Sequence, residues 1–293
     1  MDTVTTKHKI HNDERCQVCL LNSYQRLMNK FTFHTTQRES FMVYYREVIG
    51  NSLLKSSPEK QRELNRMFCK LANNTDLYYE EKVLSNKVAF ELYHKWKPKI
   101  LGAEAPFNLA LRLSIAANIM DYGANSSFNL DQTISHAVNE PLAIDHSALL
   151  KERIKEANSI LFLGDNAGEI VFDKLFIETF MHNHVSYAVR SAPVLNDATM
   201  DDAKSVGMEL VSDVISNGYD APGTVLSHCS KEFINIYNSA DLIIAKGQGN
   251  FETLQNQGDP RLFFLLTAKC DAIAELLHVK KGSIVTYNQS RSN

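Results

Sequence analysis

Three short stretches of this chain carry side chains able to handle a cation or a phosphate. "GDNAGE" places Asp165 and Asn166 behind the apolar run "SILFL", with Gly168 and Glu169 just after them. "LNDAT" brings Asn196 and Asp197 downstream of "VSYAV", and "KGQGNFET" brings Lys246, Gly247 and Gly249 behind "DLIIA". Carboxylate and carboxamide oxygens suit a hard divalent cation such as Mg²⁺ or Mn²⁺, which keeps several waters and often binds a substrate phosphate as well. Gly247 and Gly249 let backbone N–H groups approach an anion at a helix start, where the helix dipole also favours negative charge, and Lys246 adds a point charge. Because the lysine precedes the glycines, this is not the standard phosphate loop.

Each stretch also has an ordinary structural reading. Asp and Asn after a strand cap helices or shape turns, and paired glycines serve a tight strand-to-helix connection. Coincidence favours chemistry, since three such stretches follow three different apolar runs. From about Ser159 the chain alternates apolar runs ("SILFLG", "VSYAVR", "MELVSD", "DLIIAKG", "LFFLLTA", "SIVTYN") with helical segments. Continuous apolar runs are strands buried on both faces, and intervening helices imply a mainly parallel, doubly wound, Rossmann-like sheet. Ligands collect outside the carboxyl ends of such strands, where Asp165, Asn166 and Asp197 can converge.

The preceding half reads as helices near 17–31, 37–49, 57–73, 106–122, 130–140 and 145–157. A further one opens at Thr75, shows Val83, Leu84, Val88, Leu92 and Trp96 at helical spacing, and ends before Pro98. The fold class is therefore α/β. A helical domain over 1–157, able to cover one side of a cleft, precedes an α/β domain over 158–293 that binds metal and phosphate.

Composition agrees with an ordinary folded protein. Of 293 residues, 44% are hydrophobic and 22% charged, and 31 basic against 34 acidic residues leave a charge of −3. There is no global basic field for nucleic acid or anionic lipid, so the expected partner is a small molecule. No apolar run approaches a membrane span and the first residues lack the apolar core of a signal peptide, which points to the cytoplasm. Five cysteines with one close pair, Cys16 and Cys19, argue against a disulfide framework. Oligomeric state is left open.

Taken in order, "GDNAGE", "LNDAT" and "KGQGNFE", behind a helical half containing "NIMDYG", resemble the metal-dependent damage-control phosphatases, formerly a domain-of-unknown-function 89 family. The resemblance extends over almost the whole chain and includes an early Cys-x-x-Cys typical of the prokaryotic branch. It implies hydrolysis of phosphomonoesters of small metabolites such as sugar phosphates, with Mn²⁺, Mg²⁺, Co²⁺ or Ni²⁺ as cofactor. Carried over by motif, the metal ligands are Asp165, Asn166 and Asp197, and Lys246 holds the phosphate. Two other classes stay in view. One is a non-catalytic module that binds a phosphometabolite. The other is a carboxyl methyltransferase, as described for eukaryotic members, although no Gly-x-Gly-x-x-Gly loop follows the first strand.

Further residues have claims of their own. Asn118 and Asp121 share one face of a helix and either edge a buried surface or reach across the cleft to metal or substrate. Glu169 either bonds backbone at its helix start or supports the metal. Arg190 either meets a phosphate or lies on the surface, and Asp220 either touches a sugar hydroxyl or forms a turn. His8, His11, Cys16 and Cys19 have zinc-ligand chemistry, but a second cysteine pair is missing, and a reduced thiol pair at a helix start is the simpler reading.

Overall fold

A computed structural model of the chain describes residues 13–119 and 127–291. The apolar runs form a seven-stranded sheet: β1 (Ile144–Asp145), β2 (Ile160–Leu163), β3 (Val185–Val189), β4 (Asp213–Ser216), β5 (Leu242–Lys246), β6 (Leu262–Thr267) and β7 (Ile284–Asn288). Their spatial order is β1-β7-β6-β5-β2-β3-β4, and all neighbours are parallel except β6 with β7. The helices before β2 are α1 (Glu14–Lys30), α2 (Thr35–Gly50), α3 (Ser57–Ala72), α4 (Tyr79–Leu101), α5 (Pro106–Ala116), α6 (Ser127–Asn139) and α7 (Ser147–Glu156). After it come α8 (Glu169–Phe180), α9 (Met200–Ser205), α10 (Lys231–Ser239), α11 (Gly247–Leu254) and α12 (Asp271–Leu276). This is the mainly parallel, doubly wound α/β fold expected from the runs.

Side chains alternate along a strand, so Ile160 and Phe162 of β2 enter one core while Leu161 and Leu163 enter another. The first core is closed by α4, α5, α7 and α8, the second by α10, α11 and α12. From β2 the chain crosses to β3 through α8 on the first face, and from β5 it crosses to β6 through α11 on the second. Adjacent β2 and β5 thus mark the point where the winding reverses, which is where an open α/β sheet leaves a crevice. Asp165 and Lys246 stand at those two strand ends.

Helices α1 to α3 have a core of their own, centred on Phe68, whose ring stacks on Phe33 at 4.4 Å and meets Tyr24 and Phe41. This three-helix cap sits against α11 through α3. Ion pairs tie it to the sheet half: Arg15 to Glu275 at 2.7 Å, and both Arg62 and Arg66 to Asp220. The packing thus cuts across the 1–157 and 158–293 partition, because α4, α5 and α7 share the sheet's first core and β1 joins the sheet itself.

Three local expectations differ from the structure. In α4 the buried face carries Asn86, Ala89, Tyr93, Trp96 and Ile100, while Val83 and Leu84 are exposed. The helix is turned because Lys82 and Asn86 have partners inside: Lys82 pairs with Asp76 and Asp202, and Asn86 accepts from the Gly168 N–H. Pro98 does not end that helix, which continues to Leu101 and buries Ile100. "MELVSD" forms a 3-10 turn over Met208–Leu210 ahead of β4, since Met208 drops into the first core and Gly207 takes a left-handed conformation. Among the described residues, no helix is long and apolar enough to cross a membrane.

Truncating the centre of the cap core should be costly. Phe68→Ala is expected to lower stability by about 3–5 kcal/mol, the usual range for an aromatic ring removed from a packed core, seen as a lower urea midpoint by far-ultraviolet circular dichroism. An unchanged midpoint would mean that the cap core contributes little to global stability.

Candidate active site

β2 ends at Leu163, and Gly164 then passes so close to Tyr187 of β3 that a Cβ there would lie 2.6 Å from the tyrosine Oη. The next residues zip against the loop beyond β3. Ala167 N–H donates to Asn196 O at 2.9 Å and Ala198 N–H donates to Asp165 O at 2.8 Å, around an antiparallel bridge between Asn166 and Asp197. Backbone pairing alone therefore brings Asp165, Asn166 and Asp197 to one place. On the other flank, Gly247 has φ +75°, and a Cβ added there would fall 1.9 Å from Asp165 Oδ2. Only glycine lets the start of α11 approach that carboxylate.

The charges around this point are mostly hidden from water. Arg190, 2% exposed, donates from Nε to Asp197 Oδ2 at 2.8 Å and lies 3.9 Å from Asp165 Oδ1. Lys246, fully buried, pairs with Glu169 at 2.7 Å and Asp173 at 2.5 Å, and also meets Ser114 Oγ at 2.8 Å. Asn118 donates from Nδ2 to Asp165 Oδ2 at 2.8 Å and to Glu169, while its Oδ1 is buried without a hydrogen-bond partner. Asn166 Nδ2 also donates to Asp165 Oδ2, at 2.9 Å. Asn250 locks the two strand ends together by donating to Gly164 O and Lys246 O while accepting from Arg190.

Four buried acidic side chains, Asp165, Glu169, Asp173 and Asp197, thus face two buried basic ones, Arg190 and Lys246, a formal excess of two negative charges with every group ionised. The acid groups respond accordingly. Burial, only partly opposed by Arg190, pushes Asp197 up to about 7. Burial likewise raises Asp173 to about 6 against the pull of Lys246, and raises Asp165, with Glu169 adding to the effect. Burying charge without a full complement of partners is costly, and taking up a proton is the usual relief. The arrangement suits a divalent cation equally well: it supplies clustered oxygen donors, a formal excess of two negative charges, and an orphaned acceptor on Asn118.

Above this cluster lies a cavity of about 490 Å³, within the range of metabolite sites. Asp165, Asn166, Asn196, Asp197 and Gln248 form its floor, and Cys16, Ser23 and Gln61 of the cap form its roof. Lys269, exposed just past β6, lines the same space, and its charge draws the Asp165 value back down. Glu252, one turn into α11, also faces the cavity; burial raises its carboxyl to about 7.

The structure therefore gathers Asp165, Asn166, Asp197, Glu169 and Asn118, whereas Asp121, His8 and His11 lie outside the described residues. Several expectations are corrected. Lys246 does not present its ammonium to the cavity, because carboxylates of α8 and Ser114 of α5 enclose it. Gly247 and Gly249 serve close approach to Asp165 and to Pro222 O rather than an open anion cradle, with added Cβ atoms falling 1.9 and 2.0 Å from those groups. Arg190 is neither at the surface nor free for a phosphate, and Asp220 anchors the cap through Arg62 and Arg66. Cys16 and Cys19 are free thiols. The sequence reading missed Lys269, Glu252, Asp173 and Asn250. The last two carried a signal: a lone acid inside the apolar "EIVFDKLF" and a carboxamide inside the quoted "KGQGNFET".

The chain is similar to known proteins over most of its length. Residues 12–285 match the family described as the damage-control phosphatase ARMT1-like domain. A damage-control phosphatase of Pyrococcus horikoshii is 35% identical over 276 residues, covering 92% of this chain and 95% of that protein. One from Archaeoglobus fulgidus is 32% identical over 231 residues, covering 76% of this chain and 79% of its own length. The crystal structure of a DUF89 family protein from Pyrococcus horikoshii superposes with a TM-score of 0.85 at 34% identity, covering 94% of this chain and 98% of that one.

The raised carboxyls set a pH dependence whose sign follows from linkage. Folded Asp197 titrates near 7, while its ordinary value is 3.8. The proton it retains stabilises the fold in full below 3.8, and that contribution is lost as pH rises through about 7; Asp173 acts in the same direction. The protein in metal-free buffer is expected to melt at a lower temperature at about pH 8 than at about pH 5. A melting temperature that is flat or rises over that window would refute the raised carboxyls.

Proposed function

We propose a divalent-metal-dependent hydrolase of phosphomonoesters of small metabolites, on the premise that this chain belongs to the damage-control phosphatase ARMT1-like family. The chain is a phosphatase of that family. Metal dependence and the phosphomonoester substrate are our reading, and one observation carries them: Asp165, Asn166 and Asp197 lie together on the floor of the cavity, with burial and neighbouring acidic groups raising both carboxyls.

Asp165, Asn166 and Asp197 would hold the cation, and their all-oxygen chemistry fits Mn²⁺, Mg²⁺, Co²⁺ or Ni²⁺. Such an ion, when bound, supplies charge to the phosphoryl oxygens and makes a water more acidic. The chain's own groups account for the rest. Arg190 and Asn118 hold Asp197 and Asp165 in place by direct hydrogen bonds. Lys269 takes the role first expected of Lys246, giving the phosphate a cation from the wall of the cavity. Glu252 keeps a proton on its carboxyl near neutral pH and faces the same space, so it can pass that proton to the departing alkoxide oxygen. Ser23 and Gln61 of the cap offer hydrogen bonds to a polyol, and the cap limits water around the reacting phosphate. Sugar phosphates are the substrates this combination favours, in the cytoplasm.

Phosphate release from a panel of sugar phosphates tests the reading, using metal-stripped protein resupplied with each cation in turn. Asp165→Ala is expected to reduce kcat/KM by at least about a hundredfold, as loss of a key electrostatic group does. Lys269→Ala should reduce it by roughly tenfold to a hundredfold, the cost of one charge-assisted hydrogen bond, mainly through KM. Release that needs no metal, or that survives Asp165→Ala, would defeat the proposal.

A further inference from the structure

Lys246 is better placed to hold the protein's own carboxylates than a substrate. An ammonium has three protons to give, and here Asp173 Oδ1 at 2.5 Å, Ser114 Oγ at 2.8 Å and Ser114 O at 3.0 Å accept from it, while Glu169 Oε1 lies 2.7 Å away as an ion-pair partner. The partners are themselves pinned. Ser114 donates from Oγ to the same Asp173 oxygen at 2.7 Å, and Asp173 Oδ2 accepts from Tyr187 Oη at 2.8 Å. Ser114 comes from α5, Glu169 and Asp173 from α8, Tyr187 from β3 and Lys246 from β5, so the unit joins both sides of the winding reversal to the helical layer.

Both ends of this unit lead to Asp165. Through side chains, Lys246 fixes Glu169, which shares the Asn118 amide with Asp165. Through backbone, Asp173 holds Tyr187, whose hydroxyl lies against Gly164, the residue that turns the chain into Asp165. We propose that Lys246, with Asp173 and Ser114, is a positioning unit for the cation site, fixing the Asp165 carboxylate through Glu169 and Asn118 without touching substrate. This rests on the reading of Asp165 as a cation ligand.

The test is Mn²⁺ binding to metal-stripped protein without any phosphate, followed by electron paramagnetic resonance of the free ion. Three roles give three signs. A bystander lysine, once removed, takes a repelling positive charge away and tightens Mn²⁺ binding. A phosphate-holding lysine leaves Mn²⁺ affinity alone and weakens binding of inorganic phosphate to the Mn²⁺-loaded protein. A positioning lysine weakens Mn²⁺ binding despite the removed charge, by about tenfold to a hundredfold, as loss of groups that orient metal ligands does.

Lys246→Met is expected to show the third sign, with inorganic phosphate affinity of the loaded protein unchanged. Ser114→Ala preserves every charge in the unit and should show the same effect to a smaller degree. It also serves as the deciding variant if circular dichroism shows Lys246→Met to be unfolded. Unchanged or tighter Mn²⁺ binding in folded Lys246→Met, or in Ser114→Ala when it decides, would overturn the proposal. Wild-type protein that binds Mn²⁺ yet releases no phosphate from any substrate would instead end the phosphatase reading and leave this one standing.

Discussion

Six charged side chains are held out of water at the carboxyl ends of β2, β3 and β5, and the need to keep them partnered shapes what surrounds them. Burial raises the carboxyls of Asp165, Asp173 and Asp197 there in spite of Arg190 and Lys246. A buried charge left unpaired is among the most destabilising features a fold can contain, so every neighbouring element contributes a bond. α5 gives Ser114 and the turn after it gives Asn118, α11 gives Asn250, and the loop after β4 gives Thr224, whose hydroxyl bonds Asn250 and accepts from Arg190. The same requirement explains why Gly247 and Gly164 are glycines. Each is where a polar side chain of the cluster, or of its support, must come closer to backbone than a Cβ permits.

The arrangement divides labour between depth and rim. Lys246 and Arg190, the two deepest cations, hold the acids; Lys269 and Glu252 border the cavity, where a substrate can reach them. A lysine's place in a motif therefore does not settle its work. A charge at zero exposure with two carboxylate partners belongs to the scaffold of a site, and an exposed one just past the next strand is placed to meet a ligand.

Much of this was readable from residue order. Continuous apolar runs gave the buried parallel strands, and the stretches that bring Asp165, Asn166 and Asp197 together could be picked out because they follow two of those runs. The long-range pairings were not readable. Nothing in "KGQG" tells that Lys246 turns inward, since Ser114 lies 132 residues away and Asp173 lies 73 away. The face of α4 was misjudged for a related reason. Apolar periodicity points to Val83 and Leu84, but Lys82 and Asn86 face inward and meet Asp202 and the Gly168 N–H there. Periodicity reports where oil goes and is silent about polar groups that find partners inside.

The cap has its own aromatic core and is joined to the rest by packing of α3 on α11 and by ion pairs at its edge. It supplies the roof of the cavity and none of the six charges beneath. Two parts of the protein can therefore diverge at different speeds. Substitutions on the inner surface of α1 and α3 can change which metabolite fits without disturbing the charge balance below, whereas almost any change around Lys246 alters several bonds at once. A lineage that needs to clear a new phosphorylated by-product has a route through the roof, with the floor kept as it is.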